Sequence, residues 1–327
     1  MEVQRHISDF FRKELPTWNL AYQNSTSKIP FLNNKEVPFV NIIATRDPPW
    51  ASPGEISYLT LVAHYDSKMD PEGFIGAMDS AAPCAMLMHA ARALEPVMDR
   101  KWKSANEVGM KMDGYDSGFE EQKGLQILFL DGEEAFGDWT DEDSTWGAKS
   151  LAAEMESTLH PALSTYHDGL SSISLFMLLD LLGIEKPLVP SYFKTTHWAY
   201  KHLQSLADHL DSVAKSETKA VSGWFPDFQK SEDVDWFGGG IGDDHMPFQE
   251  RGVDVLHIIP SPFPIHIWHR IEDDGEHLDI PTCKDWAVLV AAFAAEWLDL
   301  EGYFEPSSKQ ARAATAADQE QRGKSEL

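Results

Sequence analysis

Two adjacent carboxylates, Glu133 and Glu134, follow Asp131-Gly132 at the end of the apolar run Leu125 to Leu130. A run rich in Leu, Ile and Phe and closed by Asp-Gly predicts a buried strand turning at the edge of a sheet, where ligands bind in open α/β folds. Adjacent residues leaving a strand point in different directions, so one carboxylate can hold a metal while its neighbour faces a substrate as a base. A pair standing alone would read as two solvated loop acids. This pair has company. Thr60-Leu-Val-Ala-His64-Tyr65-Asp66-Ser67 is a strand ending in His-x-Asp, and Gly76-Ala-Met-Asp79-Ser80-Ala81 opens a helix with an acid near its N-terminus. Ile173 to Leu179 ends in Asp180, and Ile258-Ile-Pro-Ser-Pro-Phe263-Pro-Ile-His-Ile-Trp268-His269 closes the series. His64, Asp79, Glu134, Asp180 and His269 thus stand where apolar strands, or the loops after them, end. Hard oxygens with imidazole, and no cysteine, are the donors that suit zinc. Singly, a His after a strand is a hydrogen-bonded structural residue and an Asp before a helix is an N-cap; their recurrence makes the set a candidate metal site.

A sheet and its helices must hold these groups. Residues 2 to 14 are expected to form an amphipathic helix with Phe10, Phe11 and Leu15 near one face. Val37 to Thr45 and Tyr58 to Ala63 read as the first strands, separated by the Pro-rich turn Asp47-Pro-Pro-Trp-Ala-Ser-Pro53. Ala81 to Leu94 reads as a helix buried along Met86, Leu87 and Ala90, with its methionines in the core. Pro96 to Lys123 is polar and Gly-containing, which predicts a surface excursion. Thr145 to Met155 and Thr196 to Ala214 read as further helices, and Cys283 to Leu300 as a helix packed through Trp286, Val290 and Phe293. Successive strand-plus-helix units without an internal repeat predict a single α/β domain over 1–306, with a mixed, mainly parallel central sheet flanked by helices on both faces. Residues 307–327, rich in Ala, Gln and Glu, read as a polar tail or frayed helix. A chain of 327 residues, 43% hydrophobic and 11% aromatic, can bury such a core without disulfides.

Five segments carry a resemblance: His64-Tyr-Asp-Ser-Lys68; Asp79-Ser-Ala-Ala-Pro-Cys-Ala-Met86; Asp131-Gly-Glu-Glu-Ala-Phe136 with Trp139; Gly242-Asp-Asp-His245 with Pro247-Phe248; and Ile259-Pro-Ser-Pro-Phe-Pro264 with Trp268-His269. They closely resemble glutaminyl-peptide cyclotransferases, from Val40 to the helix near Leu300. The resemblance implies the zinc aminopeptidase fold and conversion of an N-terminal glutamine to pyroglutamate with release of ammonia. It implies one zinc per chain on Asp79, Glu134 and His269, with Glu133 as general acid/base. It also implies that Asp180 and Asp243 form a hydrogen-bonded proton-handling pair and that Trp139 and Trp268 wall the pocket, where Phe263 is a further aromatic candidate. His64 is then expected to orient its neighbours. Two departures stand out. Ala63 replaces a Cys of animal secreted members, so Cys84 lacks that disulfide partner, and Gly242 replaces a Gln, removing a polar group from the pocket.

Two other functions fit parts of the pattern. His64, Asp79, Glu134, Asp180 and His269 match the five ligands of a two-zinc aminopeptidase, with Glu133 as base for a bridging water. A non-catalytic binding module on the same fold predicts damage in the ligand set, and none is visible. The expected partners are peptides or proteins with N-terminal glutamine, with glutamate as a second candidate, acted on by a monomer. A net charge of −26 opposes binding to nucleic acid or anionic membrane. No run of about 18 apolar residues predicts a membrane span, and Met1-Glu-Val-Gln-Arg5 lacks a signal-peptide core, which leaves either a cytosolic protein or one whose signal has been removed. Cys84 and Cys283 are too few to decide a redox compartment. The sequon Asn24-Ser25-Thr26 and the terminal Lys324-Ser-Glu-Leu327, similar to a Lys-Asp-Glu-Leu retrieval address, point to the secretory pathway and the lumen of the endoplasmic reticulum.

Overall fold

Alternate apolar residues in the central strands send side chains to opposite faces of a sheet, and those faces define the layers of the molecule. The computed structural model describes residues 2–107, 122–231, 233–234, 236 and 240–305. Strands β1 (Asn19–Ile29), β2 (Lys35–Arg46), β3 (Ile56–His64), β4 (Gln122–Leu130), β5 (Ile173–Leu179) and β6 (Val255–Ile258) form one sheet in the order β1-β2-β4-β3-β5-β6. β4, β3, β5 and β6 run parallel, while β1 and β2 add an antiparallel margin beside β4. The helices are α1 (Glu2–Glu14), α2 (Ala82–Glu107), α3 (Trp146–Ser157), α4 (His197–Ser212), α5 (Met246–Gln249) and α6 (Ile280–Trp297).

On one face Leu59, Leu61, Ile127, Phe129 and Met177 join Phe11 of α1, Leu87 of α2, Leu203 of α4 and Trp286, Val290 and Phe293 of α6 in one core. On the other, Val62, Leu128, Leu130, Phe176 and Leu178 pack with Leu151 of α3 and Phe248 of α5. The predicted mixed, mainly parallel sheet with helices on both faces is therefore present. Both cysteines are free, and the buried Cys84 thiol donates to the His64 carbonyl at 3.1 Å.

Two features depart from expectation. α2 continues through Pro96 to Glu107, where polarity predicts a surface excursion. Proline removes one backbone donor there, but Val97, Met98 and Trp102 are buried, and Glu95 and Asp99 hold Arg46 of β2. β1 is an unpredicted strand: only Gln23 and Ile29 in it are buried, so period-two hydrophobicity is absent and pairing along β2 secures it. The remainder of the expected excursion, 108–121, and the tail with Lys324–Leu327 lie outside the described residues. Among the described residues no helix is long and apolar enough to cross a membrane.

Candidate active site and metal centre

The parallel strands end on the same side of the sheet, and their ends and following loops carry the polar residues to one rim. His64 is the last residue of β3, Glu133 and Glu134 follow β4, Asp180 follows β5 and His269 lies on the loop after β6. Asp79 arrives on the turn Ala77–Ala81 in front of α2. That turn needs Gly76, whose φ is 67° and where a Cβ would overlap the Asp79 carbonyl. The two Glu residues are fixed from behind. The Asp66 carboxylate accepts the backbone N–H groups of Glu133 and Glu134, each at 3.1 Å, while Trp146 and Thr145 donate their N–H groups to the carbonyls of Gly132 and Glu133.

Asp79, Glu134 and His269 place one donor atom each within 4.8 Å of one another. His269 Nε2 lies 3.4 Å from Asp79 Oδ2 and 3.5 Å from Glu134 Oε1, and both oxygens are buried without a hydrogen-bond partner. Buried unpartnered carboxylate oxygens are costly unless a cation satisfies them. Two such oxygens facing an imidazole nitrogen are a donor set that fits a zinc ion with a position left for substrate. The charges adjust accordingly. Burial opposes ionisation of Asp79, but His269 and His64 outweigh it and hold Asp79 down at about 2. Burial also disfavours the His269 cation, yet Asp79 and Glu134 raise its pKa to about 9. Burial pushes Glu134 upward against the pull of His269.

His64 is fully buried, with Nε2 3.1 Å from Asp79 Oδ1 and 3.3 Å from Asp180 Oδ1. These three residues form a second set within 4.8 Å. Asp180 Oδ1 is already engaged, however: it accepts a short hydrogen bond from Ser80 Oγ and another from its neighbour's N–H, Leu181 N, at 2.8 Å. The expected Asp180–Asp243 hydrogen bond is not formed. Asp243 turns its two oxygens inward, Oδ2 to His257 Nε2 at 2.8 Å and Oδ1 to the Asp244 N–H at 2.6 Å. The two acids interact through charge alone: burial first, and then Asp180, raises Asp243 well above the carboxylate range.

Glu133 is buried among these pocket acids. Desolvation, opposed by His64 and reinforced by Asp243 and Glu134, raises it well above the usual range. Its Oε1 accepts the Trp139 Nε1–H at 3.2 Å. Asp79, Glu133, Glu134, Trp139, Asp180, Phe263, Trp268 and His269 all line one cavity of about 490 Å³, a size ordinary for small-ligand sites. Phe263 and Trp268 meet edge to face with ring centroids 4.8 Å apart. Asp243 lies beneath the lining, 1% exposed. Of the residues expected at the site, Asp243 and the fully buried His64 are therefore outside the cavity wall. The structure adds Asp66, Ser80 and His257 as supports and Lys68 as the one Lys or Arg in the lining among the described residues. His257 carries a visible signal, an ionisable residue inside the apolar strand Val255–Ile258; Ser80 carries none beyond its place after Asp79.

Residues 41–294 match peptidase family M28. The chain is 35% identical over 303 residues to a glutaminyl-peptide cyclotransferase-like protein of Bos taurus, spanning 92% of this chain and 70% of that one. It is 34% identical over 302 residues to a glutaminyl-peptide cyclotransferase of Bos taurus, spanning 91% of this chain and 76% of that one. Among solved structures, a glutaminyl cyclase of Macrostomum lignano superposes with a TM-score of 0.66 at 30% identity, covering 92% of this chain and 83% of that one.

Proposed function

The chain belongs to peptidase family M28 and, within it, to the glutaminyl-peptide cyclotransferases, and from that membership we propose the chemistry of its site. The substrate is a peptide or protein with N-terminal glutamine, giving the pyroglutamyl peptide and ammonia, with N-terminal glutamate as a second candidate that would release water instead. Asp79, Glu134 and His269 would hold one zinc ion, which when bound supplies a Lewis acid for the γ-carbonyl. The observation that carries the proposal is the junction of two unpartnered buried oxygens, Asp79 Oδ2 and Glu134 Oε1, with Glu133 in one aromatic-walled cavity.

The γ-amide is a poor electrophile and ammonia a poor leaving group, so a proton must travel from the attacking α-amine to the departing nitrogen. Glu133 takes that proton as the new C–N bond forms and returns it as the old one breaks, so the amide nitrogen leaves as ammonia. Its burial suits both halves of the task, because a carboxyl with raised proton affinity is a better base and still a competent acid near neutrality. The Trp139 N–H on Oε1 fixes the carboxyl and leaves Oε2 for the amine. The nucleophile belongs to the substrate, so ring closure needs the chain held in a folded, near-attack shape; Trp139, Phe263 and Trp268 are the walls for that. Asp180, held by Ser80 and Leu181, would face the departing nitrogen, while Asp243 lies beneath the lining, held by His257 and the Asp244 N–H.

A two-zinc aminopeptidase is the second reading, favoured by the His64, Asp79 and Asp180 set. The engagement of Asp180 Oδ1 by Ser80 and Leu181 supports a single ion instead. Zinc per chain by elemental analysis decides, alongside ammonia release from a glutaminyl peptide and leucine release from a leucyl peptide. One zinc with ammonia is the expected result; two zincs with leucine release would overturn it. We place the enzyme, a single catalytic domain over 1–306 acting as a monomer, in the secretory pathway. Asn24 stands exposed on β1, which supports the sequon as an acceptor.

A further inference from the structure

Position 242 has no side chain, and an aromatic ring takes the space. A Cβ at Gly242 would overlap Cη2 and Cζ3 of the Trp139 indole and stand 3.2 Å from the Met246 sulfur. The same indole is 37% exposed and donates its Nε1–H to Glu133 Oε1 at 3.2 Å. It is therefore fixed at both ends, the six-membered ring against the chain at 242 and the pyrrole nitrogen on the carboxyl that handles the proton. Gly242 is not among the residues with positive φ, so its backbone suits any L-residue. What glycine supplies there is room.

We propose that Gly242 is a positioning residue of the reaction. The room it leaves seats the Trp139 ring against the segment leading into Asp243-Asp244-His245, and that seat keeps the indole N–H on Glu133 and the ring in place as the cavity wall. The proposal rests on the cyclisation chemistry above. A side chain at 242 would do two things at once: displace the ring from its seat and draw the N–H off Glu133. The wall controls how the substrate is held, and the N–H controls where the base points, so both KM and kcat depend on a residue that offers the substrate no functional group.

Two contacting residues that act through one another give non-additive losses. G242A is expected to lower kcat/KM for a glutaminyl peptide about tenfold, through a fall in kcat and a rise in KM, and to have no further effect when combined with Trp139→Ala. Because position 242 tolerates an ordinary backbone and Trp139 is partly exposed, both variants are expected to fold, which thermal unfolding checks. A second readout does not depend on turnover. In a ¹H–¹⁵N spectrum the indole resonance that disappears in Trp139→Phe identifies Trp139, and that resonance should shift in G242A. An unmoved indole resonance overturns the seat, as do losses that multiply in the double variant. A shifted resonance in a protein that does not cyclise glutaminyl peptides would count against the reaction and leave the seat standing.

Discussion

Replacing Asp66 tests whether the acid pair is aimed by its backbone. The Asp66 carboxylate bridges the N–H groups of Glu133 and Glu134 at 3.1 Å each, its Oδ1 lies 3.6 Å from His64 Nδ1, and its side chain is 17% exposed. A hydrogen bond to a charged acceptor contributes about 1.5–3 kcal/mol. Both bonds are at the long end of their range, so the low figure applies to each, and together they come to ~3 kcal/mol. Water can reach the partly exposed position and replace part of that, which leaves an expected loss of about 2 kcal/mol for Asp66→Ala. The functional loss should be larger. Those two N–H groups set how Glu133 and Glu134 diverge, and a misplacement of about 1 Å costs about 10²-fold in rate, while loss of a group orienting a ligand costs about 10- to 100-fold in metal affinity. Asp66→Asn should be nearly as harmful, because its amide keeps one acceptor and turns an N–H toward the second backbone N–H. Urea unfolding of the metal-free protein, zinc titration against a chromogenic chelator and steady-state ammonia release give the three numbers. An Asp66→Asn variant with zinc affinity and kcat within about twofold of the parent, against the expected 10- to 100-fold losses, would refute the reasoning.

Glu133→Gln should keep its zinc and lose about 10²- to 10⁴-fold in turnover, since the amide cannot accept the amine proton; elemental analysis and steady-state kinetics check both halves, and activity within a few-fold of the parent removes Glu133 from its role. Asp79→Ala and His269→Ala should lose zinc and activity together. In the parent, His269 titrates at about 9, so at neutral pH the metal-free imidazole is protonated and zinc must displace that proton; affinity should fall about tenfold per pH unit below that value, and calorimetric heats independent of buffer ionisation enthalpy would contradict it. Burial, with Asp66 beside it, lifts Asp131 to about 6, above its unfolded value. The contribution of Asp131 to stability is thus fully present below pH ~4 and is lost as pH rises through 6. Asp131→Asn should therefore gain ~2 kcal/mol at pH 8 and nothing at pH 4, and urea unfolding showing equal shifts at both pH values would reject the burial account.

The strand ends were legible because apolar runs and polar terminators contrast sharply in composition: Leu125 to Leu130 into Asp131, and Ile173 to Leu179 into Asp180, carry their boundary in the residue types. The proposed ligands Asp79, Glu134 and His269 needed the family resemblance to single them out of five candidates, since periodicity says where a side chain is delivered but not which neighbour it meets. Where local composition and tertiary packing disagree, sequence fails. β1 has no apolar alternation because its edge position buries little, and α2 runs past Pro96 because Trp102 and Met98 find a core that the polar residues around them conceal. Asp180 and Asp243 illustrate a different limit. Two acids placed near each other suggest a shared proton, yet His257, twelve residues beyond His245 and on another element, takes the Asp243 oxygen first. Partner choice among buried polar groups depends on distances of tenths of an ångström, which no spacing rule contains.

The donors of the candidate metal set come from three places in the chain: the turn before α2, the loop after β4 and the loop after β6. None of the three can meet another until strands distant along the chain have paired, and β4 reaches β6 only through β3 and β5. In a small zinc-dependent domain the ion assembles the fold. Here the order is reversed. Registering the parallel strands is the slow, non-local event, and its driving force is the burial of residues such as Leu61, Ile127 and Met177, all 0% exposed. A cation held there would thus be recruited by a finished sheet, and a chain with β6 undocked would hold Asp79 and Glu134 in place yet lack the imidazole that completes the set.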